Sequence, residues 1–204
     1  MFIRNEPFKR FLKDYPMTTA ILAVNIVVFL FLYLLLKLPT TYALGDRIFS
    51  FMVASNAAIL GGAWWQVLTA VFLHTTFEHI LFNAFAILIF APALEAMLGS
   101  WRFLCGYLCT GVAANVIALF IEPAGFGHYG ASGAVFGLWG IYLYLILFHG
   151  ERMNREDRTI LLVTLAVSLI YSFLGIGIDA KGHLTGLLTG LLIAPILFSR
   201  RTVR

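Results

Sequence analysis

Gly130-Ala131-Ser132-Gly133 and, further along, Gly182-His183-Leu184-Thr185-Gly186-Leu187-Leu188-Thr189-Gly190 set a serine and a histidine inside segments too apolar for water. An ionisable side chain in a membrane span is costly to hold there, so its presence points to function. Serine is a weak nucleophile until a base takes its proton. Ser132 and His183 are therefore a candidate nucleophile and general base for acyl transfer. His79 and Asn83 form a second constellation, one helical turn apart and on one face. Their chemistry suits hydrogen-bond donation to a developing oxyanion. His74, His79 and His183 together raise a metal reading. Against it, Glu78-His79 is no part of a His-Glu-x-x-His helix, and the gap from His74 to His79 is poor for two ligands on one helical face. No metal or other cofactor is expected.

Other residues make weaker claims. Phe136, one turn after Ser132, is placed to pack on the imidazole and hold its plane, although a lipid-facing or core aromatic fits the spacing as well. Asp179 stands four residues before His183 and could orient the ring as a third triad member, but it falls in a loop at the water surface. His128 reads as solvent-facing, a weaker alternative base. Cys105 and Cys109 share a helix face without His or Asp neighbours and read as packing residues.

The elements that must position these groups follow from composition. Of 204 residues, 61% are hydrophobic and 12% charged, with a mean hydropathy of +0.91. A water-soluble domain has an apolar share nearer one half. Residues 1–204 read as a single membrane domain with no room for a second. Runs of about 20 apolar residues predict six spans: Thr18–Leu36, His79–Leu98, Phe103–Phe120, Ser132–Phe148, Thr159–Leu174 and His183–Phe198. The expected fold class is all-α, a polytopic six-transmembrane-helix bundle in a lipid bilayer. A secretory signal is a poorer reading of the first span, which is long for an h-region and is followed by no convincing small-residue cleavage site.

Basic residues fix the orientation. Arg4, Lys9, Arg10, Lys13, Arg102, Arg152, Arg155, Arg158, Arg200, Arg201 and Arg204 fall on one face of the six-span topology, against Lys37, Arg47 and Lys181 on the other. The richer face is cytoplasmic. Residues 1–17 and the tail 199–204 are then cytoplasmic, and 37–78 is a long outer loop. Its Phe49, Phe51, Met52, Trp64, Trp65 and Phe72 place it in the interface rather than in disorder. The net charge of +4 is spread along the chain, so no nucleic-acid partner is expected.

Depth and lateral packing bring the reactive pair together. Counted back from His149 and Arg200, Ser132 and His183 each lie roughly 25 Å from the inner boundary of a layer about 30 Å thick. They share a level slightly below the outer surface. Gly133 and Gly137 form a small-residue face on the fourth span, and Gly182, Gly186 and Gly190 a longer one on the sixth. Such faces let helix backbones approach closely. The segment from Glu122 to Ala131, with Gly125, Gly127 and Gly130, reads as the flexible wall of a cavity that admits water.

The ordered set Trp65-Gln66, His74, His79-Ile80-Leu81-Phe82-Asn83, Glu95, Gly130-Ala131-Ser132-Gly133 and Gly182-His183 resembles the rhomboid intramembrane serine proteases in their basic six-helix bacterial form. The resemblance covers nearly the whole chain and lies in the combination rather than in any one motif. It implies a bacterial inner-membrane enzyme with a Ser132–His183 dyad. The implied oxyanion hole is His79, Asn83 and the Ser132 N–H, with His74 and Glu95 in structural places. Two departures stand out: Gln66 replaces the usual arginine, which is expected to loosen the outer loop, and Gly182 replaces the usual alanine before histidine. Neither touches a reacting group.

A continuous helix hides its scissile carbonyl, so single-span substrates with outside N-termini, cut near the outer face between small residues, are expected. A six-span channel is the main competitor, but the polar residues share one depth and no inverted repeat is visible. A non-catalytic, helix-binding rhomboid-like chaperone is a third reading. The sequence is silent on oligomeric state.

Overall fold

The computed structural model describes residues 1–175 and 177–199. In chain order its elements are α1 (Phe8–Asp14), α2 (Pro16–Lys37), α3 (Tyr42–Met52), β1 (Ala54–Ser55), α4 (Asn56–Leu60), α5 (Gln66–Thr69), α6 (Phe77–Leu98), α7 (Ser100–Ile121), β2 (Gly127–His128), α8 (Ser132–Phe148), α9 (Arg155–Leu174) and α10 (Ala180–Phe198). Short 3-10 turns occupy Ala70–Phe72 and Gly150–Arg152. Of these, α2, α6, α7, α9 and α10 are long and apolar enough to cross a membrane. At 17 residues, α8 is shorter. That length reaches roughly 25 Å in a layer of about 30 Å. A helix so short spans only part of such a layer.

Each apolar run expected from sequence is a helix, and five begin earlier, three of them at polar caps that lie outside the apolar run. Thr76 accepts from the His79 N–H at 3.3 Å to start α6, Asn154 accepts from Asp157 N–H at 2.7 Å to start α9, and Asp179 accepts from Gly182 N–H at 2.7 Å to start α10. Cytoplasmic placement of the tail 199–204 concerns residues that, beyond Ser199, lie outside the described ones.

The bundle is organised around α8, in which every residue from Ala134 to Tyr142 is buried. A helix apolar on all sides belongs inside. Its partner is α10. A side-chain carbon on Gly186 would run into the Gly133 carbonyl oxygen, one on Gly190 into that of Gly137, and one on Gly140 into that of Leu187. The two backbones are thus in direct contact, as the small-residue faces predict. On the other side of α8, Gly137 lies against Thr110 of α7. By contrast, α2 and α9 are flanks, exposing Val27, Phe31 and Leu34, and Val163, Val167, Ile170 and Phe173.

Two polar devices close the opposite end. Pro92 lies inside α6 and has no N–H for the Leu88 carbonyl; the Arg4 guanidinium donates to that oxygen at 2.6 Å and to the Ile89 carbonyl at 3.1 Å. Glu95, 2% exposed, accepts from the Met17 N–H at 2.9 Å, from the Thr18 N–H and hydroxyl at 2.8 and 2.7 Å, and from the Ser100 hydroxyl at 2.7 Å. It caps the start of α2 and ties α2, α6 and α7 together. The N-terminal segment is no loose tail, because the Phe2 ring packs edge-on against Phe90 and Tyr142 at 4.8 and 5.3 Å.

The connection between α2 and α6 is folded. Gln66 is buried and bonded at both ends of its amide, donating to the Ser50 carbonyl at 3.0 Å and accepting from the Ser55 N–H at 3.2 Å. Trp65 donates to the Phe51 carbonyl at 2.9 Å. The loosening expected of Gln66 does not occur: a neutral amide satisfies the donor and the acceptor that this turn leaves open.

Candidate active site

Three helix N-termini, those of α6, α8 and α10, meet at one end of the bundle. Ser132 is the first residue of α8. The first intrahelical bond there runs from the Val135 N–H to the Ala131 carbonyl at 2.9 Å. The N–H groups of Ser132, Gly133 and Ala134 are therefore not used by the helix and carry its positive dipole end.

The segment before Ser132 is shaped by two histidines. Gly130 has φ +124°, and a side-chain carbon there would stand 2.6 Å from the Nε2 and Cε1 of His79. Only glycine meets both conditions. His79 thus lies against the backbone two residues ahead of the serine. His74 is fully buried, its ring 4.8 Å from that of His79 in an edge-on contact, and its Nε2 accepts from the Ala131 N–H at 3.4 Å. Burial, aided by the neighbouring His79, pushes the His74 pKa down to about 3. The ring is neutral near pH 7, as a ring nitrogen that accepts an N–H must be.

His183 lies in the first turn of α10 and is 8% exposed. Its ring stacks on Phe136 with centroids 4.4 Å apart and planes 11° from parallel. Phe136 packs on the imidazole and is at the same time a core aromatic, 3% exposed and edge-on to Trp139 at 4.8 Å. The His183 Nδ1 is 2.7 Å from the Ser172 hydroxyl of α9. Sequence reasoning missed Ser172. The only signal was a hydroxyl in an apolar run, and serine is common at helix contacts.

Ser132 and His183 make no direct hydrogen bond among the described residues, and such bonds are often long before substrate binds. Their closeness is carried by the helix contact: Gly133, next to the serine, packs against Gly186, one turn beyond the histidine. Asn83 is 7% exposed, and its Nδ2 donates to the His79 carbonyl at 2.9 Å. A cleft of about 290 Å³ behind His74 is lined by Leu32, Tyr33, Leu36, Thr75 and Glu78, not by Ser132 or His183.

The Asp179 carboxylate caps α10 and makes no hydrogen bond to the His183 ring among the described residues. Two expectations need correction. His128 is not solvent-facing: its Nε2 is 2.7 Å from the Asn115 Oδ1, and burial lowers its pKa while Asp179 and Glu122 oppose the shift. The wall from Glu122 to Ala131 is fastened rather than free. In it β2 pairs antiparallel with β1, matching His128 with Ala54, and Asn56 and Ala57 donate to the Phe126 and Ala124 carbonyls, both at 3.0 Å. Glu122 also pairs with Lys181 at 2.8 Å.

A rhomboid-domain family model matches residues 61–200, which contain α5 to α10 and all the residues gathered at this site. This chain belongs to the rhomboid family. It is 38% identical over 204 residues to YdcA of Bacillus subtilis, a protein named only provisionally as a rhomboid protease, and the match covers all of both chains. To the rhomboid protease GluP of the same organism it is 34% identical over 152 residues, 74% of this chain and 30% of that protein. To rhomboid-like protease 1 of Toxoplasma gondii it is 30% identical over 189 residues, 89% of this chain and 64% of that one. Within the rhomboid fold, α1 to α4 precede the family model, and the match to YdcA runs through all of them.

Proposed function

We propose that this rhomboid-family chain is a serine-type endopeptidase that hydrolyses peptide bonds of membrane proteins within the bilayer, with Ser132 as nucleophile and His183 as general base. The observation that carries the reading is the stacking of His183 on Phe136, one turn from Ser132 on a helix that cannot slide along α10. As Ser132 Oγ attacks the scissile carbonyl, its proton passes to His183 Nε2. The tetrahedral oxyanion forms at the N-terminus of α8, where the Ser132 N–H and the His79 ring donate to it. Asn83 joins when its amide leaves the His79 carbonyl. His183 then protonates the leaving amine, and the same base activates water to release the acyl group. The alternative readings, a helix-binding chaperone and a channel, are not favoured.

The substrates we propose are single-span proteins with their N-termini outside, cut near the outer face between small residues. Local unwinding must expose the scissile carbonyl, and in a helix interior Gly costs about 1 kcal/mol and Pro about 3 kcal/mol relative to Ala. We further propose that the enzyme lies in the bacterial inner membrane as one domain over 1–204, with both termini cytoplasmic and 37–78 on the outer side. A serine-directed fluorophosphonate or isocoumarin tests the chemistry. Labelling should map to Ser132 and vanish in His183→Ala; labelling at another serine, or labelling indifferent to His183, would overturn the assignment.

A further inference from the structure

Ser172 stands in the last turn of α9, 3% exposed, and its Oγ has two neighbours: the Ser168 carbonyl oxygen at 2.6 Å and the His183 Nδ1 at 2.7 Å. Two oxygens approach to 2.6 Å only with a hydrogen between them. The carbonyl has none to give, so the single hydroxyl hydrogen of Ser172 points at Ser168. What Ser172 then offers to His183 is a lone pair, and the Nδ1 facing it must carry a hydrogen. A neutral imidazole has one such hydrogen. The Nε2 is left bare.

Among the described residues, no other side chain hydrogen-bonds to the His183 ring. The Asp179 carboxylate is taken by the Gly182 N–H, and Phe136 presents only a ring face. The hydrogen bond at one ring nitrogen decides the state of the other. Stacking on Phe136 fixes the plane of the imidazole but leaves it free to flip within that plane; a directed bond at Nδ1 removes the flip.

We propose that Ser172 is a positioning residue for His183: its hydroxyl oxygen accepts the Nδ1–H, selecting the tautomer whose free Nε2 takes the Ser132 proton. The inference rests on Ser132 and His183 being nucleophile and base. Ser172 gives up no proton in the reaction. As the imidazolium forms, the Nδ1–H gains positive charge and its bond to Ser172 strengthens, so the interaction is larger in the transition state than before it.

The test uses the full chain in detergent or liposomes with a transmembrane peptide substrate. In Ser172→Ala, kcat should fall on the order of 10- to 100-fold, the effect of losing one hydrogen bond to a group that becomes charged. KM should not change, and fluorophosphonate labelling of Ser132 should slow in parallel. Ser172→Thr, which keeps the hydroxyl, should recover both rates. The 15N spectrum of His183 should show an Nδ1–H tautomer in the wild type and in Ser172→Thr, and a mixture in Ser172→Ala. Wild-type kcat in Ser172→Ala would overturn the proposal, as would an Nε2–H tautomer in the wild type, or equal losses in both variants with a lowered Tm. Substrate cleavage by Ser132→Ala would instead bring down the dyad reading itself, whatever Ser172 does.

Discussion

Helices α8 and α9 follow one another in sequence and both are apolar, yet they join the molecule in opposite ways. The middle of α8 is buried all round and touches α10 backbone to backbone. In α9 the buried residues are Asp157, Leu161, Leu165 and Ser172, a single narrow stripe. Most of the rest of the helix is exposed, with Ile160 and Leu169 half-buried against the core. The proposed nucleophile and base, Ser132 and His183, stand on the pair that cannot shift relative to each other, and α9 reaches His183 through one hydroxyl. A site that must hold two groups in register is built on elements fixed by main-chain contact, where no side chain can change rotamer and loosen the fit.

The sharpest way to break this comparison is to remove the chemistry from the α8–α10 pair. Ser132→Ala and His183→Ala should each abolish cleavage of a purified transmembrane substrate while leaving a folded, monodisperse protein, because the two act as one unit. Losses from such a unit are not additive, so the double variant should be no worse than either single one. Measurable turnover in Ser132→Ala, or a further loss in the double variant, would place the reaction elsewhere.

A second experiment compares the two regions as packing. Gly186→Ala puts a methyl group into the Gly133 carbonyl, and neither partner is a side chain that can move away. Overpacking of this kind costs about 1–3 kcal/mol, and it also displaces the residue next to Ser132, so both Tm and kcat should drop. Val167→Ala on the outer face of α9, where Val167 is 59% exposed, should change stability by no more than about 0.5 kcal/mol. Equal effects at the two sites would mean that the α8–α10 contact is no more constrained than the flank.

Much of this contrast was legible in the sequence. The apolar runs locate the helices because a bilayer admits few other solutions for the backbone, and the glycine spacing identifies the seam because only a missing side chain allows carbonyl contact. Ser132, His183, His79 and Asn83 stand out as polar groups where polar groups are expensive. What was hidden depends on contacts between distant segments. Ser172 looks like any small interface serine until the imidazole is beside it. Gln66 departs from the family pattern, and its two backbone partners at Ser50 and Ser55 come into view only once the outer loop has folded. Asp179 and His128 have suggestive spacing, but a helix cap and an asparagine satisfy them first. Local spacing shows which chemistry a residue could do, and the fold decides which partner reaches it.

The smallest expected effect lies where the seam meets the outer loop, at His74. Its folded-state pKa of about 3 is below the ordinary histidine value of 6.5. Between those values the unfolded chain binds a proton that the folded chain refuses, so the unfolded state gains as pH falls. The contribution of His74 to stability is therefore intact above pH 6.5 and is lost progressively as pH drops towards about 3. In His74→Gln an amide oxygen can still accept the Ala131 N–H but does not titrate. Thermal unfolding followed from pH 7 to pH 4 should show a shallower decline of Tm in His74→Gln than in the wild type, while Val167→Ala keeps the wild-type slope. Parallel declines in wild type and His74→Gln would show that protonation elsewhere governs acid stability, and would remove the neutral His74 ring as the support that holds the chain ahead of Ser132.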